Sequence, residues 1–187
     1  MSRPVKEEYL MLREEIMECM KSQASLSTFV SATICTYLAA VIALKNPDPL
    51  FYLVPFLILV PASLKEAKYQ LRIAYLASYL ITFLEGPDSF LWETRYHAFS
   101  KTSRQRNSRI RALFETFEFT LFSILCDILF LWNYQMSFPF ASAADFLLFA
   151  IPIILIVVIA WNMFNYQNFR KTIDESIARW KHLQVIE

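Results

Sequence analysis

The chain has 187 residues, of which 56% are hydrophobic and 16% aromatic, with a mean hydropathy of +0.36, a composition outside the range of soluble globular domains. Its 18 Lys and Arg against 17 Asp and Glu leave a net charge of +1, which with the lack of any RNA- or DNA-binding motif makes direct nucleic-acid binding unlikely as a function. The single glycine, Gly86, excludes P-loop and dinucleotide-binding folds, and three dispersed cysteines without a Cys-x-x-Cys or Cys/His cluster exclude a zinc centre or a disulfide framework.

In chain order, the charged stretch before residue 24 places Val5, Tyr9, Leu12, Ile16 and Met20 at helical spacing, which predicts an amphipathic helix and no cleavable signal peptide. Ala24–Leu44 follows without a charge and is long enough for a membrane-spanning helix. Ala24, Thr28, Ala32, Thr36 and Ala40 recur every four residues along it, a row of small side chains that lets another helix approach closely. After Lys45-Asn46-Pro47-Asp48-Pro49 comes Leu50–Leu64, interrupted by Pro55 and Pro61. This predicts a kinked span of about 22 Å, with Lys65 and Lys68 snorkelling to the headgroups. The helix is expected to continue through Glu66–Glu85 and to stop at Gly86-Pro87-Asp88.

Two more spans are predicted at Phe119–Gln135 and Phe146–Asn165, the second containing Pro152. The tail then carries Phe169, Ile173, Ile177, Trp180 and Leu183 on one face of a further amphipathic helix. All Lys and Arg except Lys45 lie in Met1–Gln23, Lys65–Phe117 and Tyr166–Glu187. Basic loops are retained on the cytoplasmic side, so these segments and both termini are expected to be cytoplasmic, in a multi-pass protein of the inner membrane. The fold class expected is therefore an all-α membrane protein: four transmembrane helices arranged as two hairpins, with amphipathic cytoplasmic helices. The domain reading is a first half, 1–85, a basic cytoplasmic linker, 86–111, and a second half, 112–187. A shift of 97 residues places Pro55 on Pro152 and Tyr69-Gln70 on Tyr166-Gln167, which suggests a parallel internal repeat.

Several of these features share an order with a known family. They are Glu8-Tyr9 with Leu12-Arg13-Glu14-Glu15-Ile16, Asn46-Pro47, the run Pro55-Phe56-Leu57-Ile58-Leu59-Val60-Pro61, then Tyr75, Tyr79, Phe83-Leu84-Glu85 and Trp92-Glu93-Thr94. Over residues 8–95 the chain resembles a widespread family of small bacterial four-span membrane proteins of unassigned function. The resemblance implies a bacterial cytoplasmic-membrane protein and carries no catalytic residue onto this sequence. Some small proteins of that architecture act as membrane effectors or partners in anti-phage systems, which makes a defence role an expectation by resemblance alone.

Asp127 is the intramembrane polar candidate, because an acid at mid-span faces a bundle interior or a wet cavity. It reads either as a proton- or cation-linked carboxylate or as an acid protonated by burial and hydrogen-bonded to Thr28, Ser31 or another span. The central segment holds Arg95, Lys101, Arg104, Arg106, Arg109 and Arg111 against one acid, Glu93, with Trp92, Tyr96 and Phe99 interleaved. Its readings are topology and anionic lipid contact, or an anion or acidic-partner surface built on Arg forks. His97 and His182 lack ligand companions at metal spacing, and Glu115 and Glu118 read as an ion-paired boundary with Arg111 or nearby lysines. No catalytic motif, metal site or cofactor is expected. The leading functional expectation is a non-enzymatic homo-oligomeric membrane module whose cytoplasmic helices bind a protein partner or a signal. The alternatives are a small ion or proton channel or transporter using Asp127, and, last, a membrane-bound enzyme.

Overall fold

The computed structural model describes residues 3–86, 90–102, 109–134, 143–167 and 169–184. Among them the chain forms six α-helices and no strand: α1 (Arg3–Ile42), α2 (Phe56–Tyr79), α3 (Trp92–Thr102), α4 (Arg109–Tyr134), α5 (Ala143–Gln167) and α6 (Phe169–Gln184). Four stretches, Val5–Ile42, Pro49–Leu84, Phe117–Tyr134 and Asp145–Phe164, are long and apolar enough to cross a membrane. The fold is thus that of an all-helical multi-pass membrane protein, and the predicted stop at Pro87-Asp88 lies outside the described residues.

The amphipathic N-terminal segment and the first span are one helix. The 40 residues of α1 contain no glycine, and their one proline, Pro4, stands in the first turn, where no helical bond is lost; the helix runs to about 60 Å at 1.5 Å per residue. The expected single kinked helix over Leu50–Leu64 is corrected. Asp48, in extended conformation, accepts a hydrogen bond from the Leu50 amide at 2.9 Å and opens a short 3₁₀ turn at Pro49–Leu53. Pro49 lacks the amide that a first turn leaves unused anyway. Pro55 sits just before the first residue of α2, so only Pro61 lies inside that helix.

The chain divides into two compact units, each drawing on both halves of the sequence. The first comprises Met1–Ala24, Ala67–Ile110 and Tyr166–Glu187, and the second Ser25–Glu66 and Arg111–Asn165. The core of the second unit joins Val30, Ile34, Leu38 and Val41 of α1 to Phe56 and Leu59 of α2, Phe119, Cys126 and Phe130 of α4, and Ile159 and Met163 of α5. Outward, α4 and α5 expose large apolar side chains such as Leu125, Ile128, Trp132, Ile154, Val157 and Trp161. Water disfavours such a surface and lipid does not. α4 bends at Phe117, whose backbone (φ −103°, ψ 15°) leaves the helical region.

The first unit has its own core, in which Tyr9 and Ile16 of α1 and Ala74, Ala77, Leu80 and Leu84 meet Ile173 of α6. The N-terminal stripe runs as expected through Tyr9, Leu12 and Ile16, but Cys19 continues it inward while Met20 is exposed. From α6, the Trp180 indole donates to the Ser78 hydroxyl at 3.1 Å and meets Tyr79 and Phe83 edge-on. α2 ends in a π turn over Leu80–Leu84, closed by a 2.9 Å bond from the Glu85 amide to the Leu80 carbonyl. Glu85 itself is extended (φ −93°, ψ 134°), so the helix stops there and its side chain is free of the ladder.

Candidate functional site

The densest polar constellation in the first unit is centred on Glu85. Its carboxylate accepts from the Glu93 amide at 2.8 Å, the Thr94 amide at 2.7 Å, the Thr94 hydroxyl at 2.6 Å and the Tyr9 hydroxyl at 3.4 Å. The Arg95 amide makes its first helical bond to Leu91, which places Leu91 at the N-cap of α3, where a leucine has no acceptor to offer. Glu85 supplies one from outside the helix. It satisfies the second and third orphan amides and sets a negative charge at the positive end of the dipole.

Around it, Arg13 pairs with the buried Glu93 and places its guanidinium 5.7 Å from the centre of the Trp92 ring. Tyr9 stacks on Phe90 at 4.9 Å, and the Tyr79 hydroxyl donates to Glu8 at 3.0 Å. Both phenols are donors in these bonds. Further out, Arg72 forks onto one oxygen of Glu15 at 2.9 and 2.6 Å, an exposed pair. His97 meets Asp174 of α6 at 3.0 Å.

The second unit holds a different polar group. Ser27 and Ser31, one turn apart on α1, both donate to Glu118 of α4, Ser27 at 2.6 Å to one oxygen and Ser31 to the other. Serine hydroxyls are thus partners of Glu118, and the expected pairing with Arg111 lies outside the described side chains. Ser31 is consequently not the partner of Asp127. Asp127 is half-buried and makes no hydrogen bond or ion pair among the described residues, so the expected bonding of Asp127 to Ser31 or Thr28 is not formed.

The remaining predicted residues are placed as follows. Ala24, Thr28, Ala32, Thr36 and Ala40 all lie on the exposed face of α1. The buried stripe is Val30, Ile34, Leu38 and Val41. Arg95 is exposed on α3. The side chains of Lys101, Arg104, Arg106, Arg109, Arg111 and Glu115 lie outside the described residues, and His182 is exposed. Among the described residues no group of three or more His, Cys, Asp or Glu is arranged to hold a metal ion.

Sequence reasoning missed the Glu85 site as a site. A signal was there: Trp92-Glu93-Thr94 opens a helix with Leu91 rather than Ser, Thr, Asp or Asn directly before it, and Glu85 stands just upstream of the Gly86-Pro87 break. No family model, curated protein or solved structure matches this chain.

Proposed function

We propose that the chain is a non-enzymatic, self-associating module of a bacterial inner membrane. In this reading its spans form two hairpins, both termini are cytoplasmic, and the helices of the first unit receive a protein partner or a signal. The observation that carries self-association is a contrast between outer faces. α4 and α5 present large apolar side chains outward, whereas the outer face of α1 between Ala24 and Ala40 is built mainly of Ala, Ser, Thr and Cys, including the exposed Cys35. Lipid gives a helix no reason to prefer small side chains, while a second helix does.

The test is disulfide formation in native membranes. The native Cys35, and single cysteines placed at Thr28, Ala32, Thr36 and Ala39 in a Cys35→Ser background, are oxidised with copper phenanthroline. Dimers are expected at positions three or four apart, because bridging requires Cα atoms within about 7 Å. Monomer at every position, together with a monomeric particle in mild detergent, would remove the proposal.

A second reading, ion or proton passage at Asp127, is supported by one fact: that carboxylate is not engaged in a hydrogen bond among the described residues. Reconstituted in liposomes, the wild-type chain is then expected to pass protons or monovalent cations and Asp127→Asn to abolish the flux. Equal flux through both proteins would exclude this role for Asp127.

A further inference from the structure

A helix of a water-exposed unit buries its apolar stripe and turns its charges outward. α3 does the reverse. Within Trp92–Phe99, Glu93 is the buried residue and His97 the next most enclosed. These two residues stand one turn apart on the inward face, where Arg13 and Asp174 receive them. Trp92, Tyr96 and Phe99, at spacings of four and three, form a continuous outward stripe that is 58%, 57% and 67% exposed. The stripe is rigidly presented. Glu85 fixes the start of the helix, the Trp92 and Tyr96 rings lie nearly parallel (9°) at 6.5 Å, and Arg13 supports the Trp92 ring.

Three large aromatic rings held in water on one face call for a cover. The charge around them says of what kind. Arg95 is exposed beside the stripe. From Arg95 to Arg111 the sequence contains six Lys and Arg and no Asp or Glu, while Glu93 is neutralised internally by Arg13. Trp and Tyr concentrate at the headgroup level of bilayers, and helices with an aromatic face and flanking basic residues lie in that plane, drawn by anionic lipid. A bilayer is also close along the chain, since the apolar stretch of α4 begins at Phe117.

We propose that α3 is an interfacial helix that lays Trp92, Tyr96 and Phe99 into the headgroup region of an anionic bilayer, with Arg95 on the lipid phosphates. The inward Glu93 and His97 are then the device that turns the aromatic face out: they exchange the usual apolar contact with the protein for an ion pair to Arg13 and a hydrogen bond to Asp174, leaving the rings for the membrane. This binding is separate from the docking and self-association proposed above.

The test uses the full chain in nanodiscs. In a Cys35→Ala background, a nitroxide is attached at Phe99→Cys on the stripe, or at Ala98→Cys on the neighbouring exposed face. Collisions with dissolved oxygen, which partitions into lipid, are compared with those of a water-soluble nickel chelate. In phosphatidylcholine–phosphatidylglycerol discs, position 99 is expected to favour oxygen and position 98 the nickel chelate. The preference at 99 is expected to weaken in phosphatidylcholine alone and with Arg95→Glu. Because the two labels sit on the same helix, a general loss of folding would move both. Nickel access at 99 equal to that at 98 in anionic discs would overturn the proposal. So would protection of 99 from both reagents, which would mark a face covered by protein.

Discussion

Replacing Glu85 with alanine is expected to destabilise the first unit by about 3 kcal/mol, since charge-assisted bonds to two helix-end amides and two hydroxyls are lost together. The effect should be local before it is global. α3 has a leucine at its N-cap position and turns its aromatic stripe outward, so besides Glu85 its first turn is held by Arg13, through Glu93 and the Trp92 ring. Amide hydrogen exchange should therefore accelerate roughly a hundredfold over Trp92–Phe99, in keeping with that free energy. Exchange in the apolar core around Ile34, Leu59 and Phe130 should stay unchanged. Glu85→Gln should lie between wild type and Glu85→Ala, because one acceptor oxygen remains. Unaltered protection of α3 in Glu85→Ala would show that the carboxylate is not its cap.

The double substitution Ser27→Ala, Ser31→Ala is expected to cost about 3 kcal/mol, read as thermal unfolding in detergent, because it strips a half-buried carboxylate of both serine donors. The reverse deletion should be much milder. In Glu118→Leu the two serine hydroxyls can bond back to carbonyls one turn earlier on α1, as Thr33 and Thr36 already do at 2.8 Å each. The triple variant with both alanines and Glu118→Leu should recover most of the stability lost by the double one. A triple variant as unstable as the double would mean that the serines matter for packing rather than for the acid. The asymmetry arises because removing both polar partners is tolerated where stranding one is not.

How far the sequence was legible depended on the range of the interaction. Apolar runs and the absence of a breaker are local properties, so the span-length helices and the continuity of α1 follow from them directly. The stripe Tyr9–Leu12–Ile16 also follows from periodicity, but 3.6 residues per turn leaves the next position divided between Cys19 and Met20. Only packing resolves that choice. Leu50–Leu64 was misread because two prolines drew attention from the Asp48-Pro49 pair, whose cap sets the true start. On α1, the small-residue row and the large apolar row are about equally regular. The interior of the second unit takes the row that fills more space, Val30 to Val41. The Glu118 site was not legible, because its serine donors lie 91 and 87 residues away in sequence, whereas the Glu85 site was legible only in part: its amide donors stand eight and nine residues on, but Tyr9 is 76 residues away. The inversion of α3 was hidden for a related reason. Periodicity finds an aromatic stripe but cannot tell which way it faces, and that is decided by Arg13 and Asp174, from α1 and α6.

The π turn at Leu80–Leu84 makes chain length itself a constraint. One residue more than an α-helical turn is accommodated there before Glu85, and a deletion within the turn would let α2 close as an ordinary helix. The side chain at the new end would then point about 100° away around the axis, as successive residues do at 3.6 per turn, and the carboxylate would miss the end of α3. Substitutions that keep Leu80 and Leu84 apolar can therefore be accommodated, whereas insertions and deletions cannot be absorbed. Among relatives of this chain, the spacing between α2 and Glu85 should hold constant where the residues themselves do not.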